Sequence, residues 1–273
     1  MLRSVAVAAA LLGSLSPSLA RARQDSDWVL TRAPEQKTVA AILQFSSGIF
    51  LMARCTDQVY DLVIGGLPEA PRGKLTRELG IVVADWERPR TTVWTVGENR
   101  TIAFSRIPAM VARDLAEGGN LQVIVPPERE GAPRTRYVME LESSGSAVAE
   151  TLTACGRPLV DSRDAEDDDE GNGQDGLPPA LTWATAPRPT FPAPVNGLSP
   201  SEGYVVLSCV SDAEGALGDC VTESEQPPGY RLGPAVARAM PRARVKLTEQ
   251  GEASGRELAG RLIIFSVNFK MEP

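Results

Sequence analysis

A pair of cysteines in one short stretch constrains the fold of this chain more than any other feature. The stretch from Tyr204 to Val221 has an apolar run, a turn-rich centre and a second run, with Cys209 in one arm and Cys220 in the other. If the turn is centred on Glu214-Gly215, the two cysteines face each other across an antiparallel pair, where Cα atoms lie about 4.5 to 5.5 Å apart. A loop with an odd number of residues would place them on opposite faces. The sequence therefore predicts a hairpin with an even loop, closed by a Cys209–Cys220 disulfide.

The other two cysteines, Cys55 and Cys155, bring the total to four. Four cysteines allow three pairings, and the hairpin leaves Cys55 with Cys155. An even number of cysteines is typical of proteins in oxidising compartments, and no pair here has the spacing of a metal site. The alternative is four free, buried thiols.

The N-terminus, residues 1–22, has the organisation of a secretory signal peptide. One arginine precedes an apolar core from Val5 to Leu12, and small residues follow, with cleavage expected after Ala20 or Ala22. The alternative is an uncleaved anchor, but the apolar core falls far short of the roughly 20 residues that span a membrane. We expect a cleaved, exported, periplasmic protein without stable membrane insertion.

Residues 25–158 form the first predicted domain, which is mostly antiparallel β. Short apolar runs bounded by Gly, Pro and Ser are typical of such sheets. Helical spacing predicts two short helices, one from Ile107 to Leu115 and one from Ser146 to Ala154. The strand-like runs are 38–45, 49–55, 58–64, 81–84, 91–96, 101–104, 121–125 and 136–141.

An acidic segment rich in Pro and Gly, residues 159–185, separates this domain from a second one, residues 186–273. Its like charges predict an extended, mobile and protease-sensitive linker. The second domain contains the hairpin, then an apolar helical face from Leu232 to Met240, then a strand from Arg261 to Phe269. The order strand, strand, helix, strand predicts a small ββαβ unit, so the fold class expected for the whole chain is α+β.

Composition excludes several function classes. The chain has no histidine, which removes Ser-His-Asp and Cys-His nucleophilic systems and most catalytic zinc sites. It also has no phosphate-binding GxxxxGK[ST] motif and no GxGxxG between a strand and a helix. The net charge of −7 disfavours nucleic acid, whose binding depends on phosphate neutralisation. We expect no enzymatic activity, no cofactor and no metal.

The C-terminal third, about residues 190–270, resembles the TonB C-terminal domain family. The similarity rests on the order and spacing of several short motifs: Phe191-Pro192, Gly203 to Leu207, Asp212 to Gly215, Glu223-Ser224 and the Leu232 to Met240 helix. The resemblance implies a domain in the periplasm of a Gram-negative bacterium that takes up a partner's peptide as an added strand at a sheet edge. The partner would be a periplasmic or outer-membrane protein or peptide. True energy transducers of the family carry an uncleaved membrane helix and a long Pro-rich spacer, which a signal peptide and an extra domain replace here.

By position in the resemblance, the strand Arg261 to Phe269 is the candidate edge. The side chains expected to face away from the helix, and so to meet a partner, are Leu262, Ile264, Ser266 and Asn268. The alternative function is a self-associating structural envelope protein, such as a homodimer, that binds no peptide ligand.

Overall fold

The chain folds mainly into antiparallel β-sheet. The computed structural model describes residues 28–83, 90–127, 133–141, 145–165, 176–195 and 197–270, together with the backbone of 168–170. Strands account for 46% and helical segments for 18%. The described strands form one sheet of nine strands, one of four and a two-stranded ribbon.

The larger sheet contains the first nine strands of the described residues. They are β1 (Val29–Ala33), β2 (Thr38–Gln44), β3 (Phe50–Thr56), β4 (Val59–Gly65), β5 (Thr76–Val83), β6 (Arg90–Val96), β7 (Ala103–Ser105), β8 (Gly119–Val125) and β9 (Thr135–Leu141). Every pairing is antiparallel, in the order β1-β2-β3-β4-β7-β6-β5-β8-β9. Alternation sets the buried face; in β3 it is Leu51, Ala53 and Cys55 that point inward. The predicted strand runs match β2 to β9, and β1 was not predicted.

Two helices pack against one end of this sheet, α1 (Pro108–Ala116) and α2 (Ser146–Ala154). Proline occupies the first turn of α1, where its missing N–H costs nothing. The helix α2 lies on β2 and β3 and is bonded to β3 through the Cys55–Cys155 disulfide. Inside, the hydroxyl of Tyr60 bonds that of Thr151 at 3.0 Å, and burial raises the pKa of Tyr60 to about 12.

The C-terminal elements build the smaller sheet. They are β10 (Asp168–Glu170), β11 (Leu181–Thr185), β12 (Glu202–Ser211), β13 (Leu217–Gln226), α3 (Leu232–Ala239), β14 (Arg244–Leu247), α4 (Glu249–Ala253) and β15 (Arg261–Lys270). The sheet order is β10-β15-β12-β13, with β10 parallel to β15 and the other pairs antiparallel. The ribbon is the antiparallel pair β11 and β14.

The central strands of the smaller sheet, β12 and β15, are buried on both faces and contribute to two hydrophobic cores. Ile263 and Phe265 pack into a cluster with α3, where Trp183 meets the ring of Phe265 edge-on at 5.3 Å. Leu262 and Ile264 belong instead to the core of the nine-stranded sheet. Residues from both predicted domains therefore share one continuous core.

The predicted α+β class is wrong, since the described residues are mostly antiparallel β and show no clear ββαβ unit. The helical pattern at α3 was read correctly, but β10, β11, β14 and the short α4 add to the C-terminal region. These segments have three to five residues each, too few for a periodic pattern to identify.

The Cys209–Cys220 disulfide forms as predicted, but the loop and the register of its hairpin differ from the prediction. Ser211 pairs with Leu217, so the loop has an odd length, and its Gly215 adopts φ 77°. The register then shifts between Ser208 and Val210, where Asp219 on the other strand has φ 46°. This β-bulge restores the facing arrangement, and Cys209 is bonded to Cys220 with their Cα atoms 4.1 Å apart.

The structure contains two disulfides, which are consistent with a periplasmic or extracellular location. Within the described part of the chain, no helix is long and apolar enough to cross a membrane. The predicted signal peptide, residues 1–22, lies outside the described residues.

Candidate functional site

The four predicted partner-binding residues occupy one face of β15, but their environments differ. Leu262 is 1% exposed and Ile264 is 0% exposed, and both pack in the core of the nine-stranded sheet. Ser266 is half-buried, and its hydroxyl accepts a hydrogen bond from Arg106 at 2.8 Å. Asn268 alone is exposed. A partner at this strand would therefore meet its backbone edge and its C-terminal end rather than the whole face.

The chain's own linker covers the first part of that backbone edge. The strand β10 pairs in parallel with β15, setting Asp168 opposite Leu262 and Glu170 opposite Ile264. Further along, the backbone N–H of Ser266 donates to the carbonyl oxygen of Gly176 at 3.3 Å. Beyond this point, no strand of the described residues pairs with the outer edge of 267–270.

Two residues fix the linker to this edge. Gly176 has φ 79°, and a side chain there would collide with the backbone oxygen of Ser266. Its neighbour Leu177 is 0% exposed and lies in the same core as Phe265. The contact between the linker and β15 is therefore specific, because the close approach requires both the glycine at position 176 and the buried side chain of Leu177.

The opposite edge of the smaller sheet, along β13, is protected by arginines. Arg157 donates to the carbonyl oxygen of Thr222 at 2.6 Å, and Arg163 donates to that of Asp219 at 3.3 Å. Guanidinium groups bound to edge carbonyls leave fewer acceptors for an incoming strand. The edge of β13 is thus a poorer template for strand addition than the open end of β15.

A network of charged side chains joins α1 to the acidic segment and to β13. Arg113 pairs with Asp164, and its Nη2 also lies 3.7 Å from Asp161. Arg163 binds Asp161 at 2.7 Å and lies 3.9 Å from Glu223. The side chain of Arg113 is only 9% exposed and that of Glu223 only 8%. Close pairing compensates for the cost of removing these charges from water.

This network alters the predicted picture of the linker. The hydrogen bonds from Arg163 hold the pKa of Asp161 below its ordinary value. The carboxylates of Asp161 and Asp164 therefore make specific ion pairs instead of simply repelling each other. We expect the stretch 161–165 to resist the limited proteolysis that its composition suggested.

Asp114, next to Arg113 on α1, gives a pH-dependent prediction. Burial raises the pKa of its carboxyl from 3.8 to about 7, against a smaller opposing effect of Arg90. Because the folded-state pKa is raised, this group favours folding below about pH 4, and that contribution is lost as the pH rises through 7. Asp114→Asn removes the charged form, so it should raise stability at pH 8 by about 2 kcal/mol and have little effect at pH 4.

The measurement is urea denaturation of both proteins between pH 4 and pH 8. Glu140→Gln is the control, because it removes an exposed carboxylate on β9, whereas the nearby charge of Glu117 itself helps to raise the pKa of Asp114. A stability difference between Asp114→Asn and the wild type that does not change with pH would contradict a buried, protonated Asp114.

Sequence reasoning missed the arginines that organise this region, namely Arg106, Arg113, Arg157 and Arg163. Arg106 is 6% exposed and links the two sheets, because its backbone oxygen also accepts from the hydroxyl of Ser224 at 3.2 Å. The sequence did offer one signal, because Arg106 and Arg113 flank the apolar positions of α1, and positive charges beside a buried helix face favour pairing with acidic residues.

Comparison of the chain with family models, with curated proteins and with solved structures found no match. The resemblance to the TonB C-terminal domain family therefore stays a prediction. Among the described residues, no group of three or more Cys, Asp or Glu side chains is placed to hold a metal ion. Two features of the structure suit binding. One is the partly covered edge of β15, and the other is the charged network that joins α1, the acidic segment and β13.

Proposed function

We propose that this is a periplasmic protein-interaction module of the Gram-negative envelope, exported through a cleaved signal peptide, that binds an extended peptide by strand addition at β15. One observation carries the proposal: β15 already pairs with a segment distant in sequence, from Asp168 to Glu170. Unpaired N–H and C=O groups on a strand edge attract another extended chain. The ligand is a segment of a periplasmic or outer-membrane protein, and the linker is the resident occupant that it replaces or extends.

The open end of β15 fits this role. Asn268 is exposed, and the outer edge of 267–270 follows directly after the Gly176 contact. An incoming peptide can pair there first and then displace the short parallel strand β10. The inner side chains, Ile263 and Phe265, hold the strand in place while its backbone is used for binding.

Gly176→Val tests whether the edge accepts a strand in trans. Valine at φ 79° is strained, and its side chain would collide with Ser266, so the cover should leave β15. A fluorescein-labelled peptide of residues 166–178 should then bind at least about tenfold more tightly than to the wild type, a gain of about 1.4 kcal/mol. Fluorescence anisotropy measures the affinity.

Gly73→Val is the matched control, because Gly73 has φ 78° but open space around its Cα. It introduces the same backbone strain without disturbing β15, so peptide affinity should stay at the wild-type level. A folded Gly176→Val protein that binds the peptide no better than the wild type would rule out this edge as a strand acceptor.

The second candidate is a self-associating structural envelope protein without a peptide ligand. Its support is the same cover, since an edge satisfied by its own linker needs no partner. Light scattering separates the two functions. A wild-type monomer whose Gly176→Val variant binds peptide supports strand addition, whereas a stable wild-type dimer supports self-pairing.

A further inference from the structure

A cavity of about 490 Å³ opens between the end of α2, the stretch 158–163 and the disulfide end of β13. Ligand sites in proteins commonly have volumes of about 300 to 1,000 Å³. Arg113, Arg157 and Arg163 line it together with the carboxylates of Asp161, Asp219 and Glu223. It lies on the β13 side of the smaller sheet, away from the edge of β15, so it is a separate site from the one proposed above.

Two of the charges that line this cavity are left without a charged partner. Arg157 uses one Nη2–H on the carbonyl oxygen of Thr222, and no carboxylate of the described residues lies within ion-pair distance of it. The carboxylate of Asp219 has no hydrogen-bond or ion-pair partner among the described residues. Arg113 and Arg163, by contrast, are matched by Asp161, Asp164 and Glu223 within the charged network described above.

Disulfides hold both unmatched residues in place. Arg157 follows Cys155 by two residues, and its backbone N–H bonds the carbonyl oxygen of Leu152 at the end of α2. Asp219 directly precedes Cys220 and has φ 46°, a conformation that residues other than glycine rarely adopt. The backbone is therefore fixed at both positions, which lowers the cost of ordering them on binding, and the side chain of Asp219 is exposed to an incoming ligand.

We propose that this cavity binds a small zwitterionic ligand of the dipeptide class. The carboxylate of the ligand pairs with Arg157, whose planar guanidinium suits a two-pronged contact, and its ammonium group pairs with Asp219. Ala109 and Val221 also line the cavity and offer apolar contact to small side chains, whereas Val160 at its rim is 86% exposed.

Isothermal titration calorimetry of the full exported chain tests this with three probes. Ala-Ala carries both charges, N-acetyl-Ala-Ala lacks the ammonium group, and Ala-Ala amide lacks the carboxylate. We expect saturable binding of Ala-Ala and at least tenfold weaker binding of each capped form. No binding of Ala-Ala, or equal binding of either capped form, overturns the proposal.

Two variants assign the charges. Arg157→Gln and Asp219→Asn should each weaken Ala-Ala binding at least tenfold, and asparagine tolerates the positive φ at position 219. Arg136→Gln, at an exposed arginine on β9, is the control and should leave binding unchanged. If Arg157→Gln fails to fold, Arg157→Lys keeps the positive charge but loses the two-pronged contact, and we expect it to weaken binding as well. Wild-type affinity in the folded Asp219→Asn variant, or in whichever Arg157 variant folds, also overturns the proposal.

Discussion

Two adjacent alanine substitutions on opposite faces of β15 should both destabilise the protein strongly. Phe265→Ala is expected to cost about 3 to 5 kcal/mol and Ile264→Ala about 2 to 5 kcal/mol, because each leaves a cavity in a different, fully buried core. If the face that carries Ile264 were a free recognition surface, the second substitution would cost almost nothing. Urea denaturation gives both free energies of unfolding.

Asn268→Ala is the matched control for this pair, since Asn268 shares the face of Ile264 but is exposed. Its effect should stay within about 0.5 kcal/mol. An Ile264→Ala protein as stable as Asn268→Ala would show that the smaller sheet does not complete the core of the larger one.

Removal of the Cys55–Cys155 disulfide should have the other large effect. The bond closes a loop with a sequence separation of 100, whereas Cys209–Cys220 closes one of only 11. In the chain-entropy model, the longer loop corresponds to about 5 kcal/mol and the shorter to about 3 kcal/mol. A domain typically has only about 5 to 15 kcal/mol of stability, so the Cys55→Ala/Cys155→Ala protein should be close to unfolding.

Denaturation of the two double variants side by side measures this difference. Cys209→Ala/Cys220→Ala is the internal control, because it removes the same number of sulfur atoms from the same chain. A greater loss of stability in the hairpin variant would contradict the loop-length explanation and would point to packing around Cys209, which is 0% exposed.

Local pattern was enough to predict most of the larger sheet. Its strands alternate apolar and polar residues between clear turn signals, so β2 to β9 were located to within a few residues, apart from the start of β5. The helix α2 was predicted with its observed ends, Ser146 and Ala154. Both disulfide pairings also followed from the cysteine positions, because few arrangements of four cysteines fit one hairpin.

The remainder depended on long-range contacts that a local pattern does not encode. The bulge at Asp219 needs a non-glycine residue at positive φ, for which the sequence gives no signal. The burial of β15 on both faces, by contrast, did have a signal in the sequence. The four consecutive apolar residues from Leu262 to Phe265 are typical of a strand that is covered on both faces. Because one face of this strand was predicted to be free for a partner, the close packing of the two sheets was not predicted.

The shared core has a consequence for the order in which the chain can fold as it is synthesised. A chain that emerges N-terminus first presents the nine-stranded sheet well before Val206, Leu262 and Ile264 arrive to cover part of its apolar interior. Until then that surface faces water, where exposed apolar side chains promote aggregation. A fragment that ends at residue 158 would remain in this incomplete state, so the two halves of the chain depend on each other for solubility as well as for stability.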